Sequence, residues 1–136
     1  MDPKLKATMN QLGNISNRHQ GNARKVLTVC SAGLLRSPTM ANVLHDQLGY
    51  NTRAAGSITN FALIPVTEAL VCWADEIVFV EHGLIDYMDQ DIRNLIHERR
   101  NDGDLEIIEL DIPDMYEWNN ETLRDECYRQ YMEEID

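Results

Sequence analysis

Residues 25–48 hold an apolar run, a loop of small residues and a helix start in immediate succession, and few folds accommodate that order. Val26-Leu27-Thr28-Val29 is apolar and β-branched without alternation, the pattern of a strand over 25–30 buried on both faces. Cys30-Ser31-Ala32-Gly33-Leu34-Leu35-Arg36-Ser37 comes next, a cysteine and an arginine separated by five small or apolar residues. Ser37-Pro38-Thr39-Met40-Ala41-Asn42-Val43-Leu44 then reads as the start of a helix over 37–48, with Ser37 as its cap and Pro38 in its first turn. A loop held between strand and helix turns its backbone N–H groups, and the positive end of the helix, into one bowl. Such a bowl suits a phosphate or another tetrahedral oxyanion, lined here by Ser31, Ala32, Gly33, Leu34, Leu35 and Arg36. The same field favours the thiolate form of a cysteine at its base, which makes Cys30 a candidate nucleophile. Arg36 brings the planar fork that grips two phosphate oxygens at once. The plainer alternative is a small buried cysteine at a strand end and a surface arginine. Ala-Gly inside the loop, Ser-Pro after it and the apolar strand before it all speak against that.

The rest of the chain alternates between the same two periods. Lys4 to Leu12 reads as a short helix and Gly13 to Asn22 as a polar linker, so residues 1–24 form an N-terminal extension to a domain over 25–136. A strand is expected at 51–55 after the turn at Gly49, and a helix at 65–74 with Pro65 at its start. Glu76-Ile77-Val78-Phe79-Val80 is a further buried strand, with a helix over 83–99 after it. The turn Asn101-Asp102-Gly103-Asp104 leads to a strand at 105–110, and a last helix runs over 121–132. Strands alternating with helices imply a parallel sheet wrapped by right-handed crossovers. At 136 residues this is one α/β domain. In such sheets the site lies at the carboxyl ends of the strands.

Composition bounds the partners. The net charge of −11 is uneven: residues 1–60 carry seven Lys/Arg against two Asp/Glu, and residues 61–136 carry five against twenty-one. The loop lies in the basic part, as an anion site should. The acidic part argues against nucleic acid and reads either as solvated helix faces or as a docking surface for a basic partner. No apolar run reaches membrane-span length and no signal-peptide core is visible, so a cytoplasmic protein is expected. Cys30, Cys72 and Cys127 form neither a disulfide framework nor a zinc pattern, and a reactive thiolate suits a reducing compartment. Cys72 and Cys127 read as fillers in helical patterns. Four scattered histidines and the cluster Asp86, Asp89, Asp91 complete no ligand set, so no metal or cofactor is expected.

Three segments carry a resemblance. Val29 to Ala41 resembles the phosphate loop of the low-molecular-weight protein tyrosine phosphatases, a Cys-X5-Arg-Ser-Pro sequence between the first strand and the first helix. Arg53-Ala54-Ala55-Gly56-Ser57 is similar to the Ser-Ala-Gly-Thr that ends their second strand. Leu110-Asp111-Ile112-Pro113-Asp114-Met115-Tyr116 is similar to the stretch carrying their general acid. The resemblance covers about 25 to 118, and the fragment from Ile112 to Glu117 looks most like a compact bacterial and phage branch of predicted phosphatases. It departs from the pattern at Ala32, Gly33, Leu35 and Met115, and the stretch after Gly56 is short. Gly33 can still supply the left-handed backbone that an asparagine commonly adopts there, although one side-chain hydrogen bond is lost. Leu35 stands where many members carry a second, redox-protective cysteine.

The resemblance implies a four-stranded parallel sheet of order 2-1-3-4 flanked by helices, which puts Cys30 and Asp114 on one rim. It implies a phosphate monoester hydrolase acting on a phosphorylated protein, through phosphotyrosine, or on a small aryl phosphate. Cys30 would attack phosphorus, with Arg36 and the loop amides holding the equatorial oxygens and Ser37 hydrogen-bonding the thiolate. Asp114 would protonate the leaving oxygen and then activate water; Asp111 is the competing acid, and both can also be read as turn-forming aspartates around Pro113. Tyr116 and Trp118 would wall the pocket or simply fill the rim. Two other classes stay open: a catalytically silent phosphate or phosphopeptide binder, and an arsenate reductase-like enzyme.

Overall fold

The structure is a computed structural model, and it describes residues 14–15, 23–31, 36–58, 62, 64–113 and 120–135. Lys25–Cys30 forms the central strand, β2, and every residue of it after Lys25 is buried. That is why its apolar run is continuous: both faces are covered. A two-residue strand β1 (Asn14–Ile15) precedes it, and β3 (Asn51–Gly56), β4 (Glu76–Phe79) and β5 (Glu106–Glu109) come after. The sheet order is β1-β3-β2-β4-β5. Counted from β2, the four parallel strands stand in the order 2-1-3-4, as expected. The extra edge strand was not expected. Asn14 and Ile15 fall where the polar composition reads as linker, yet they pair antiparallel with Arg53 and Thr52. An antiparallel partner on an otherwise open parallel edge satisfies backbone groups that β3 would leave to water.

Helices α1 (Arg36–Leu48) and α4 (Glu121–Ile135) pack against the sheet, with α2 (Glu68–Trp73) and α3 (Gln90–Asn101) completing the crossovers. Two buried threonines pin α1 to the sheet. Thr28 Oγ1 donates to the Ser37 carbonyl at 2.7 Å, and Thr52 Oγ1 donates to the Ala41 carbonyl at 2.9 Å. Each such bond is worth about 1 kcal/mol net, and together they fix the height of the helix start above the strand end. On α4, Leu123, Cys127 and Tyr131 recur every four residues as one buried stripe. Tyr131 meets Tyr50 edge to face, with ring centroids 6.4 Å apart.

Two helices begin elsewhere than the sequence suggests. Pro65 does not start α2; it bridges Gly56 in parallel, extending the β3 edge, and the helix begins after Thr67, whose Oγ1 accepts from the Leu70 amide at 3.2 Å. A side-chain cap with a partner outweighs the preference of proline for a first turn. The helix expected over 83–99 is two pieces. Gly83, at φ 85°, opens a single 3-10 turn (Leu84–Tyr87), Met88 is extended, and α3 starts at Gln90. Leu84, Met88 and Ile96 are all buried, so one apolar face crosses the break and hides it from a periodicity reading. Among the described residues, no helix is long and apolar enough to cross a membrane.

Candidate active site

The carboxyl ends of β2, β3 and β4 form one rim, and hydrogen bonds continue past the strand ends to align the segments that leave them. The Ser57 amide donates to the Cys30 carbonyl at 2.8 Å and the Ile58 amide to the Ser31 carbonyl at 3.0 Å. On the other flank the Val80 amide donates to the Val29 carbonyl at 2.9 Å, and the Ile112 amide to the Val80 carbonyl at 2.8 Å. Three chain segments, 30–31, 80–81 and 111–113, therefore leave the sheet side by side.

Cys30 is buried at the end of the central strand. Its Sγ lies 3.1 Å from Ser37 Oγ, and Ser37 Oγ lies 3.2 Å from the Ala55 carbonyl. The hydroxyl has one proton to place. Given to Ala55, it leaves Ser37 to accept from a thiol; given to sulfur, it supports a thiolate. The contact exists because Thr28 holds the Ser37 backbone above the strand, so a side chain in the first helical turn meets one at the strand end.

Arg36 is buried over the same rim. Its Nη1 donates to the Ile112 carbonyl at 3.1 Å, and its Nη2 meets Glu81 Oε1 at 2.8 Å. The guanidinium thus spans from the loop's end to the segment after β5. Glu81 is a site residue that reasoning from the sequence missed. It lies just past β4 as Cys30 ends β2, and the rule that sites gather at strand carboxyl ends was the available signal. Asp111 is exposed, with its backbone clasped by Gln130: the Asp111 amide donates to Oε1 at 2.7 Å, and Nε2 donates to the Asp111 carbonyl at 2.9 Å. Ser31 is half-buried beside Cys30. Ala32, Gly33, Leu34, Leu35, Asp114, Tyr116 and Trp118 lie outside the described residues, as does the helix expected at Lys4 to Leu12.

The other two cysteines are remote in character from the first. Cys72 is exposed on α2, and Cys127 is buried in α4, where burial pushes its thiol up to about 12. Among the described residues, no group of three His, Cys, Asp or Glu side chains is placed to hold a metal ion.

Solved structures with this arrangement of strands and helices exist. Wzb from Vibrio vulnificus, in complex with benzylphosphonate, superposes with a TM-score of 0.54 over 82% of this chain and 94% of its own, at 21% identity. The tyrosine phosphatase Wzb from Escherichia coli K30, in complex with phosphate, gives a TM-score of 0.55 over 84% of this chain and 99% of its own, at 20% identity. The fold is that of the Wzb tyrosine phosphatases. No family model matches the chain, and no curated protein matches it in sequence. Nearly the full length of each Wzb structure is covered, and more than four fifths of this chain.

Proposed function

We propose that this chain is a cysteine-dependent phosphatase that hydrolyses phosphate monoesters, with phosphotyrosine in proteins as its substrate class. The observation that carries this reading is the pairing of Cys30 Sγ with Ser37 Oγ at the end of the central strand, beneath a buried Arg36. The Wzb structures with the same fold hold phosphate in one case and benzylphosphonate in the other, which supports an anion site with room for an aromatic group.

In this reading the Cys30 thiolate attacks phosphorus in line and the bond from phosphorus to the tyrosyl oxygen breaks. The Ser37 hydroxyl hydrogen-bonds the sulfur while the loop amides of Ser31 to Arg36 and the Arg36 guanidinium hold the three equatorial oxygens. Asp114 gives its proton to the leaving oxygen. The carboxylate so formed takes a proton from water, the water oxygen bonds to phosphorus, and the phosphorus–sulfur bond breaks to release phosphate and restore the thiolate. Tyr116 and Trp118 flank the ring. The cysteines argue against arsenate reduction, which needs a downstream thiol relay. A thiol held protonated by burial, as Cys127 is, makes a poor one.

The test turns on leaving groups. Asp114→Asn should slow hydrolysis of phosphotyrosine more than that of para-nitrophenyl phosphate, whose leaving group needs no proton, and should remove the basic limb of the pH–rate profile. Asp111→Asn should have the smaller effect. A larger leaving-group-dependent loss in Asp111→Asn reverses the two assignments. A wild type that binds phosphate yet turns over neither substrate is a binder and overturns the reading.

A further inference from the structure

A cavity opens beside Ser31, the residue after Cys30. It measures about 460 Å³ and is lined by Ser31, Ile58, Glu81, His82, Asp86 and Tyr87, with Gly83 and Leu84 as its floor. Ser31 belongs to the loop after Cys30, so a polypeptide whose phosphorylated side chain entered the bowl would pass this cavity. Its volume is that of a pocket for one or two side chains.

The lining says what kind of side chain. Tyr87 stands on the 3-10 turn with 62% of its surface exposed, an unusual place for a large aromatic residue. Asp86 beside it is exposed. Glu81 meets Arg36 through Oε1, on the side of the bowl. Among the described residues of the lining, His82 is the one basic side chain, and it sits 3.1 Å from Glu109, so its charge when protonated is already matched. Glu81 is likewise matched by Arg36, so the negative balance of the lining rests on Asp86. An aromatic face beside an exposed carboxylate fits the alkyl stem and charged head of lysine or arginine, by stacking and by charge together.

We infer that this cavity is a specificity pocket for a basic residue next to the phosphotyrosine of a polypeptide substrate. The inference rests on the phosphatase reading and narrows its substrate class. A glutamate at the same place in the substrate would face Asp86 and be repelled.

The experiment compares two phosphotyrosyl peptides that differ only in lysines or glutamates on both sides of the phosphotyrosine. Phosphate release by the wild type should favour the lysine peptide by about tenfold in kcat/KM at low salt, falling toward about twofold at high salt as exposed charges are screened. Asp86→Lys should bring that ratio to about one or below, and Asp86→Asn to an intermediate value. Asp86 is an exposed residue on a surface turn, so neither change disturbs the core. Equal kcat/KM for the two peptides in the wild type, or a ratio that Asp86→Lys leaves unchanged, overturns the inference. If the wild type releases phosphate from neither the peptides nor para-nitrophenyl phosphate, the phosphatase reading is what fails. Titrated binding of the same two peptides then decides the charge preference: tighter binding of the lysine peptide upholds it, and equal binding overturns it.

Discussion

The two ends of the sheet each hold an arginine–glutamate pair, and the pairs are inverted. At the carboxyl end Arg36 meets Glu81 at 2.8 Å, with the arginine side chain 4% exposed and the glutamate 41%. At the amino end Arg24 meets Glu76 at 3.2 Å, with the arginine 34% exposed and the glutamate 1%. One end buries the cation and the other buries the anion. Glu76 is met from inside as well: Tyr131 donates to Oε2 at 2.7 Å, while Arg24 also reaches Glu106 at 2.8 Å. That end is closed on itself, a satisfied network across β4, β5 and α4. The buried Arg36 guanidinium is different. In the phosphatase reading it keeps positive charge in a low dielectric where the incoming phosphate would gain most from it. Identical residue types thus bury a cation at one end, which suits the proposed anion site, and an anion at the other, inside a closed clasp.

Exchanging lysine for arginine at both ends should break the symmetry most sharply. Arg36→Lys keeps the charge but loses the fork that meets both Ile112 and Glu81, and should lower kcat/KM by about 10²-fold or more, roughly 2.7 kcal/mol of transition-state stabilisation. Arg24→Lys should leave kcat/KM within about twofold, since it acts only on the far clasp. Steady-state kinetics of the two variants side by side measures this; similar losses in both would erase the distinction between site and clasp.

Tyr131→Phe leaves a buried carboxylate oxygen without its donor. It should cost about 1–3 kcal/mol in denaturant unfolding while kcat/KM stays close to wild type. A stability cost near zero would mean that Glu76 is not held by Tyr131.

The smallest effect is a dependence on pH. Burial raises the pKa of Glu76 above its ordinary value of 4.5, against the opposing pull of Tyr131 and Arg24. The folded protein then holds that proton at pH values where the unfolded chain has released it. Stability from this group falls as pH rises from about 4.5 through the raised folded value, and is level beyond it. Glu76→Gln cannot titrate, so the stability difference between wild type and variant should shift against the wild type across that window. Parallel curves from unfolding midpoints taken between about pH 4.5 and neutrality would show that the carboxylate titrates normally.

The strand and helix around Cys30 were legible because their signals are local. Val26 to Val29 is a run that only burial on both faces explains, and the order of β2 to β5 comes from alternation together with the resemblance. The Cys30–Ser37 contact was legible for the same reason, since seven residues separate its members. Glu81 was not: its partner lies forty-five residues away, and its place just past the carboxyl end of β4 was the one signal that set it apart from a surface acid. Nor was the break before α3, because Leu84, Met88 and Ile96 keep helical spacing across a segment that is not helical. Strand β1 carries too few residues for a period, and its existence depends on the open edge of β3. Pro65 misled because a generic preference was weighed without the specific cap two residues on.

The account stands or falls on Cys30, and the direct measurement is turnover of para-nitrophenyl phosphate by wild type and Cys30→Ser beside titrated phosphate binding by both. Serine fits the buried position and leaves Ser37, Arg36 and the loop backbone in place, but its hydroxyl does not form the nucleophilic anion at neutral pH. The account predicts turnover falling to background in Cys30→Ser with phosphate binding retained. Turnover near the wild-type rate in that variant would contradict it.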